Sequence, residues 1–577
     1  KPHPSYGNHS RRCWSIANHS GTETRNDCIG EWVLLVNGSI CSSLVPGGTV
    51  VKRLNLIVCA LVLWSSIAAL SGQTAQARQE TDDLQSLALI DSVVSTYADT
   101  TSDLSAYTVS ATFTPYSIAD PAAITGDLSI KYHNRTGATQ DTLYLRLYPN
   151  NAEYADGRMD VSDITIDGET VLSYTSEADT TVSIPLPDPV ADGDWVELKL
   201  AFTTIIPTDP TQSYGMFKFD TSANTYNLAH WLPLLAGWDE EAGWNTGPIS
   251  INGDPVFTEA ATFDVTLSAP ADLIFAGSGS PVGDPEIEGD TQTLHFVSGP
   301  SRDFDLAASS SFQVTTAMAG ETEVRSFAMP GFETQSAAVL ETGVKAIGIY
   351  NDLIGTYPYR QLDIVQADIG NGAGGVEFPG MVFIGSSFYS PDSPSVQNIP
   401  HILEFIVVHE VAHQWFYGVV GNDQYLHAYL DEALSNYLSV VYFAAAYDAE
   451  TANEQANYQL RAGYFDYLFN YGDDIVDQPT DAFRTGGAYG VIVYGKGALA
   501  FMELRAEIGT DAFFAALQQY FVDYAFAIAT PTDMQTAFEE AADASLDEFW
   551  THWFKSADGK DDYDATDYAR LLREMSE

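Results

Sequence analysis

Two hydrophobic rhythms divide this chain. Between residues 107 and 297, apolar and polar positions alternate in short runs: YTVSATFTPY, GDLSIKYHN, TLYLRLY, WVELKLAFTTI, ATFDVTLSA and TQTLHFV, bounded by Gly, Pro, Asp and Asn. A period of two sends successive side chains to opposite faces of a strand, so these runs predict an all-β domain with one buried and one wet face. After Gly331 the rhythm slows. SAAVLETGVKAIGIYNDLIG carries apolar residues at i, i+3 and i+4, the spacing of an amphipathic helix. A strand, LDIVQADI, follows, then GNGAGGVEFPGMVFIG, where glycines lead into a β-like run. Residues 402–416, ILEFIVVHEVAHQWF, are apolar on every face around their polar centre, and a helix of that kind belongs in an interior. In AYLDEALSNYLSVVYF, Leu430, Leu434, Tyr437, Leu438 and Val441 mark a second amphipathic helix. Three more helices are predicted, over 511–522, over 531–542 with Thr530 as N-cap, and over 546–554, after which the chain turns polar.

At 577 residues the chain is too long for a single core. The pattern divides it into an upstream segment (1–77), a polar linker (78–104), the β-domain (105–318) and a mixed, mainly helical domain (319–577). LNLIVCALVLWSSIAALSG, with Lys52 and Arg53 before it and Ala75-Gln76-Ala77 after it, predicts a secretory signal peptide over about 52–77, cut before Arg78. A retained membrane anchor is the alternative. Residues 1–50 lack clear periodicity and would be upstream sequence, with the true start near Val50 or Val51. All four cysteines precede the expected cut, so the exported chain would fold without disulfides. Its expected place is secreted, periplasmic or at the cell surface, without stable membrane insertion.

Charge narrows the partners. Asp and Glu number 78 against 25 Lys and Arg, a net charge of −53. Such a surface repels nucleic acid and anionic lipid. It serves as a solvated acidic coat, or as a field that draws in peptides through their cationic N-termini.

The chemistry sits in the apolar helix. His409, Glu410 and His413 form H-E-x-x-H. One turn apart on one helix face, the two imidazoles can share a metal ion. Glu410, about 100° round the helix, would stand beside the ion as a base for water. Eighteen residues after His413, Glu432 supplies a third ligand from the second helix. Two His and one Glu leave a tetrahedral zinc with one open position, the arrangement of a catalytic site. A buried polar network without metal is the alternative.

These residues also carry a resemblance. HEVAHQWF, its spacer and LDEALSNY, with GGVEFPG upstream and VYGKGA downstream, resemble the zinc aminopeptidases of the aminopeptidase N and leukotriene hydrolase family, over roughly residues 105–556. The resemblance implies a saddle-like N-terminal β-domain followed by a thermolysin-like α/β, mainly helical catalytic domain with one zinc per chain. It implies a short form lacking the further helical domain of many relatives, and so a more open cleft. By the same resemblance Tyr494 would donate to the oxyanion, and Glu377 would bind the substrate's α-ammonium. Beside Glu377, Gly374 and Gly375 would let a peptide add as an edge strand. The segment 226–240 looks like the family's loop into the cleft, with Asn227 or His230 as candidates to help hold the amine, or else a packed loop. Where the family has Met and Asn around this Glu, Val376 and Phe378 stand here. Peptides are the implied substrates. An endopeptidase and a catalytically silent peptide-binding protein are the rival readings.

Overall fold

The computed structural model describes residues 84–575 except 155, 176–178, 210–214, 240–241, 251, 255 and 371–372. The expected signal segment and all four cysteines lie outside the described residues. Among the described residues, no helix is long and apolar enough to cross a membrane.

Within the stretch expected to be a polar linker with a short helical patch around 84–94, residues 91–103 form helix α1 (Asp91–Asp103). Apolar residues at both of its ends anchor it. Leu89, Ile90, Val93 and Leu104 are buried in the core of the helical half, and the backbone at 88–90 bonds to Pro358 and Arg360. The alternating runs form strands. β1 (Ser105–Thr114), β2 (Ala122–His133), β3 (Trp195–Ile206), β4 (Ala261–Pro270) and β5 (Thr291–Val297) lie in one nine-stranded sheet in the order β5-β4-β1-β2-β3. Of these pairings only β1 with β4 is parallel. Along β1 the period of two is visible: Tyr107, Val109, Ala111 and Phe113 are buried, while Thr108, Ser110 and Thr112 are exposed. Two four-stranded sheets and a two-stranded ribbon (Trp238–Asp239 with Gly243–Trp244) also belong to the β-domain.

A five-stranded sheet joins the halves. It contains β6 (Gln313–Ala319), β7 (Thr322–Ala328), β8 (Gln361–Ala367), β9 (Gly375–Phe378) and β10 (Met381–Gly385), in the order β6-β7-β8-β10-β9. β6 straddles the domain boundary expected at 318–319. Strands β8 and β10 are buried along their whole length because both faces are covered. Leu362, Ile364, Val382 and Ile384 enter the core of the helical half, whereas Val365, Ala367, Met381 and Phe383 enter the core of the β-domain. On the edge strand β9, Val376 and Phe378 also face the β-domain. Alternation therefore turns Glu377 towards the helices. The β9–β10 hairpin turns at Pro379-Gly380, where Gly380 adopts φ 76°, a left-handed conformation that a glycine takes without steric cost.

Helix α2 (Glu333–Leu353) connects β7 to β8 and packs against α3 (Ile402–Ala412), with the Tyr350 hydroxyl donating to the Val408 carbonyl at 3.2 Å. α4 (Glu432–Ala446) lies beside α3. Further on come α5 (Thr510–Asp523), α6 (Pro531–Ala542) and α7 (Asp547–Lys555), with Thr530 and Asp533 forming a reciprocal capping box on α6. The polar end of the chain holds one more helix, α8 (Ala565–Glu574), opened by a capping box of Asp564 and Asp567.

Candidate active site

The site is assembled by two helices meeting at their polar ends. His409 lies in the last turn of α3 and His413 caps it. Glu432 is the first residue of α4, where the helix dipole favours an anion, and the neighbouring Asp431 caps the same helix by accepting from the Glu432 amide at 2.7 Å. His409 Nε2, His413 Nε2 and Glu432 Oε2 form a nearly equilateral triangle with sides of 3.1, 3.2 and 3.2 Å. All three residues are buried.

The triangle has the shape of a zinc site. Bonds of about 2.0–2.1 Å in tetrahedral geometry separate ligand atoms by about 3.3 Å. His413 Nδ1 donates to the Phe416 carbonyl at 3.2 Å, which leaves the lone pair of the neutral ring on Nε2, facing the other two ligands. Two ring nitrogens 3.1 Å apart in the interior call for a cation between them.

Glu410 stands next to the triangle with its carboxyl on the cavity. Burial and the charge of Glu432 push that carboxyl well above its ordinary range, with His413 opposing them. A Cβ on Gly375 would fall on this carboxylate, so β9 approaches α3 closely only because the position is glycine. Gly374 is less confined, since a Cβ there would lie 3.0 Å from the flexible Ile406 side chain. Glu377 is 5% exposed and accepts from Gln424 Nε2 at 3.1 Å. Gln424 also bonds to Asp431, tying the edge strand to the cap of α4.

Sequence reasoning missed Asp254. It comes from the β-domain, more than a hundred residues before any motif, in an irregular stretch. Its carboxyl bonds to Glu377, and the two lie with Glu432 in one cluster of carboxylates within 4.8 Å of one another. Burial, then repulsion from Glu432 and Asp431, raises Asp254 to about 8, although the residue is partly open to solvent. Burial and repulsion from Asp254 push Glu377 up as well. Burial and Glu432 lift Asp431 to about 7. For Glu432 itself burial opposes ionisation, but the hydrogen bonds from His409 and His413 outweigh it and hold its carboxyl below the usual range. Five carboxyl groups thus crowd one site. A dication held by the triangle and a positive charge beside Asp254 and Glu377 would each lower this raised affinity for protons.

Tyr494 sits in a π-helical turn, Val491–Gly497, a local widening common at functional sites. Its hydroxyl donates to Glu432 Oε1, and its ring lies 5.7 Å from that of His409. The cavity lined by these groups measures about 600 Å³ and includes Asn252, Asp254, Gly374, Glu377, Glu410, Tyr489 and Tyr494. Asn227 and His230 do not line it. Asn227 is buried against the Gly215 carbonyl at 2.7 Å, and His230 packs in the β-domain core beside Phe378, so the segment around them is a packed loop and strand. Phe378, too, faces that core and leaves the cavity to Glu377.

A triangle of two imidazoles and a carboxylate, with a free carboxyl beside it, defines the class of zinc-dependent hydrolases that activate water. Residues 338–553 match the model described as the Peptidase family M1 domain. It is 28% identical over 317 residues to an aminopeptidase M1-C of Oryza sativa subsp. japonica, an alignment covering 52% of this chain and 34% of the relative. To an aminopeptidase N of Haemonchus contortus it is 27% identical, covering 48% and 30%. The chain thus spans about a third of the length of these relatives. The crystal structure of an M1 zinc metallopeptidase from Deinococcus radiodurans superposes with a TM-score of 0.59 at 18% identity, covering 79% of this chain and 94% of that one. That likeness extends the shared fold across both the β-domain and the helical half.

Proposed function

We propose that this chain is a zinc aminopeptidase that removes N-terminal residues from peptides. The observation that carries the reading is the pair Asp254–Glu377 set beside the ligand triangle and Glu410. A metal triangle and a base suffice for hydrolysis. Two further carboxylates lining the cavity, with no Lys or Arg paired to them among the described residues, fit a ligand that brings its own ammonium group. The named relatives, all aminopeptidases, support the same reading.

Zinc held by His409, His413 and Glu432 would supply Lewis acidity that polarises the peptide carbonyl and makes water acidic. The residues of the chain do the rest. A peptide aligns along the free edge of β9, where Gly374 and Gly375 admit its backbone. Asp254 and Glu377 bind the α-ammonium and so fix the cut one residue from the end. Glu410 takes a proton from the attacking water and delivers it to the leaving amine; its raised affinity for protons suits both steps. Tyr494, released from Glu432, donates its hydroxyl proton to the oxygen that gains charge.

Turnover of amino-acid anilides tests this reading. Activity should vanish with a chelator, return with zinc, and be absent on N-acetylated substrates. Cleavage of blocked peptides would make the chain an endopeptidase, the alternative favoured by the loss of the family's Asn at Phe378. No cleavage of either kind by zinc-loaded protein would leave a peptide-binding role. Export completes the proposal: the signal-like segment over about 52–77 would be removed, and the first residue of the exported protein, expected at Arg78, checks it.

A further inference from the structure

Below β9, on its β-domain side, lies a second convergence of ligand-type groups. His230, Asp303 and Asp305 each offer one atom within 4.8 Å of the others, and all three are buried, at 4%, 0% and 0% exposure. The two carboxylates are built alike. Each has one oxygen held by a donor: Asp303 Oδ2 takes the Tyr417 hydroxyl at 2.7 Å, and Asp305 Oδ1 takes the His230 backbone N–H at 2.5 Å. The other oxygen of each, Asp303 Oδ1 and Asp305 Oδ2, is buried with no donor from the surrounding protein, the two carboxyls standing close enough to share a proton, and His230 Nδ1 has no partner either. One oxygen oriented from outside and the other left bare is how a carboxylate is prepared to bind a metal ion with a single atom.

We propose that His230, Asp303 and Asp305 bind a second divalent cation, structural rather than catalytic. One imidazole with two carboxylates suits zinc or manganese better than the harder calcium, which prefers oxygen alone. At about 2.1 Å per bond, tetrahedral donors stand roughly 3.3 Å apart, so side-chain shifts within the cluster bring all three atoms onto one ion. The charges match: two carboxylates and a neutral imidazole cancel a dication in a place where neither carboxylate meets solvent. Tyr417 gives the site its purpose. It lies four residues beyond His413, so the ion would fasten the β-domain to the chain leaving the catalytic helix.

Metal counting tests the inference on the full chain. Protein stripped with a chelator, reloaded with excess zinc chloride and desalted at high ionic strength should hold two equivalents by mass spectrometry. Asp305→Asn should hold one. A His409→Ala/His413→Ala double variant, which leaves the second cluster intact, should also hold one and melt at a higher temperature with zinc than without. One equivalent in the wild type and none in the double variant overturns the proposal and leaves the two aspartates sharing a proton. The double variant decides even if Asp305→Asn does not fold, and its metal content is independent of peptidase activity.

Discussion

At the scale of single residues, the site divides into what spacing reveals and what only folding brings together. His409, Glu410 and His413 are legible because helix geometry converts i and i+4 directly into a shared face. Glu432 follows because it opens the next amphipathic segment. Asp254 is illegible: nothing in SINGDP distinguishes its carboxylate from the 77 other acidic side chains, and only tertiary folding sets it against Glu377. Its removal should therefore be informative. Asp254→Asn should lower kcat/KM for free-amine substrates about 10-fold to 150-fold, the worth of a charged hydrogen bond, acting mostly on KM. An unchanged KM would take the residue out of amine recognition. Gly375→Ala places a methyl group on the Glu410 carboxylate; overpacking of this kind typically costs about 1–3 kcal/mol, so a lower melting temperature and a reduced kcat should appear together. Tyr494→Phe should reduce kcat about 10²–10³-fold with little change in KM if the hydroxyl leaves Glu432 to serve the oxyanion. Equal activity in the two proteins would mean that it only orients the ligand.

Elements were legible where one face is apolar and the ends are marked. Thr530 before Pro531 announces α6, and the alternating runs announce the β-domain strands. α8 escaped because its apolar side is narrow: of its residues only Leu571 is buried. α1 was legible only in part, as a helical patch around 84–94, because the apolar residues holding it to the core cluster at its start and set no period further on. The π-turn carrying Tyr494 shows how one element is held in place. Lys496, 1% exposed, donates to Asp473 at 2.8 Å and to the carbonyls of Asp474 and Ser556 at 2.9 and 2.7 Å, pinning the turn to a loop and to the end of α7. Lys496→Met should destabilise the protein by about 3–5 kcal/mol, because it leaves the buried Asp473 carboxylate without its counter-ion, held only by the Tyr464 hydroxyl and the Gly559 amide. Denaturant unfolding measures this, and adding Asp473→Leu should restore most of the loss if the ion pair is the cause.

For the molecule as a whole, the acidic surface and the shared sheet set the terms. With 78 acidic against 25 basic side chains, self-repulsion opposes compactness. Raising sodium chloride from about 0.05 M to about 1 M, which shortens the screening length to about 3 Å, should raise the melting temperature. A melting temperature indifferent to salt would show that the charges lie too far apart to matter. The β-domain and the helical half were legible as separate stretches of sequence, but their union was not, because β8 and β10 read as strands without showing which core each face would enter. That union has its own consequence. Ile364 and Val365 are neighbours in the chain yet belong to opposite cores, so a methyl group trimmed from either loosens a different half of the protein. Glu377 stands on the seam between them, and any slackness in the strand beneath it is passed straight to the grip on the substrate's leading end.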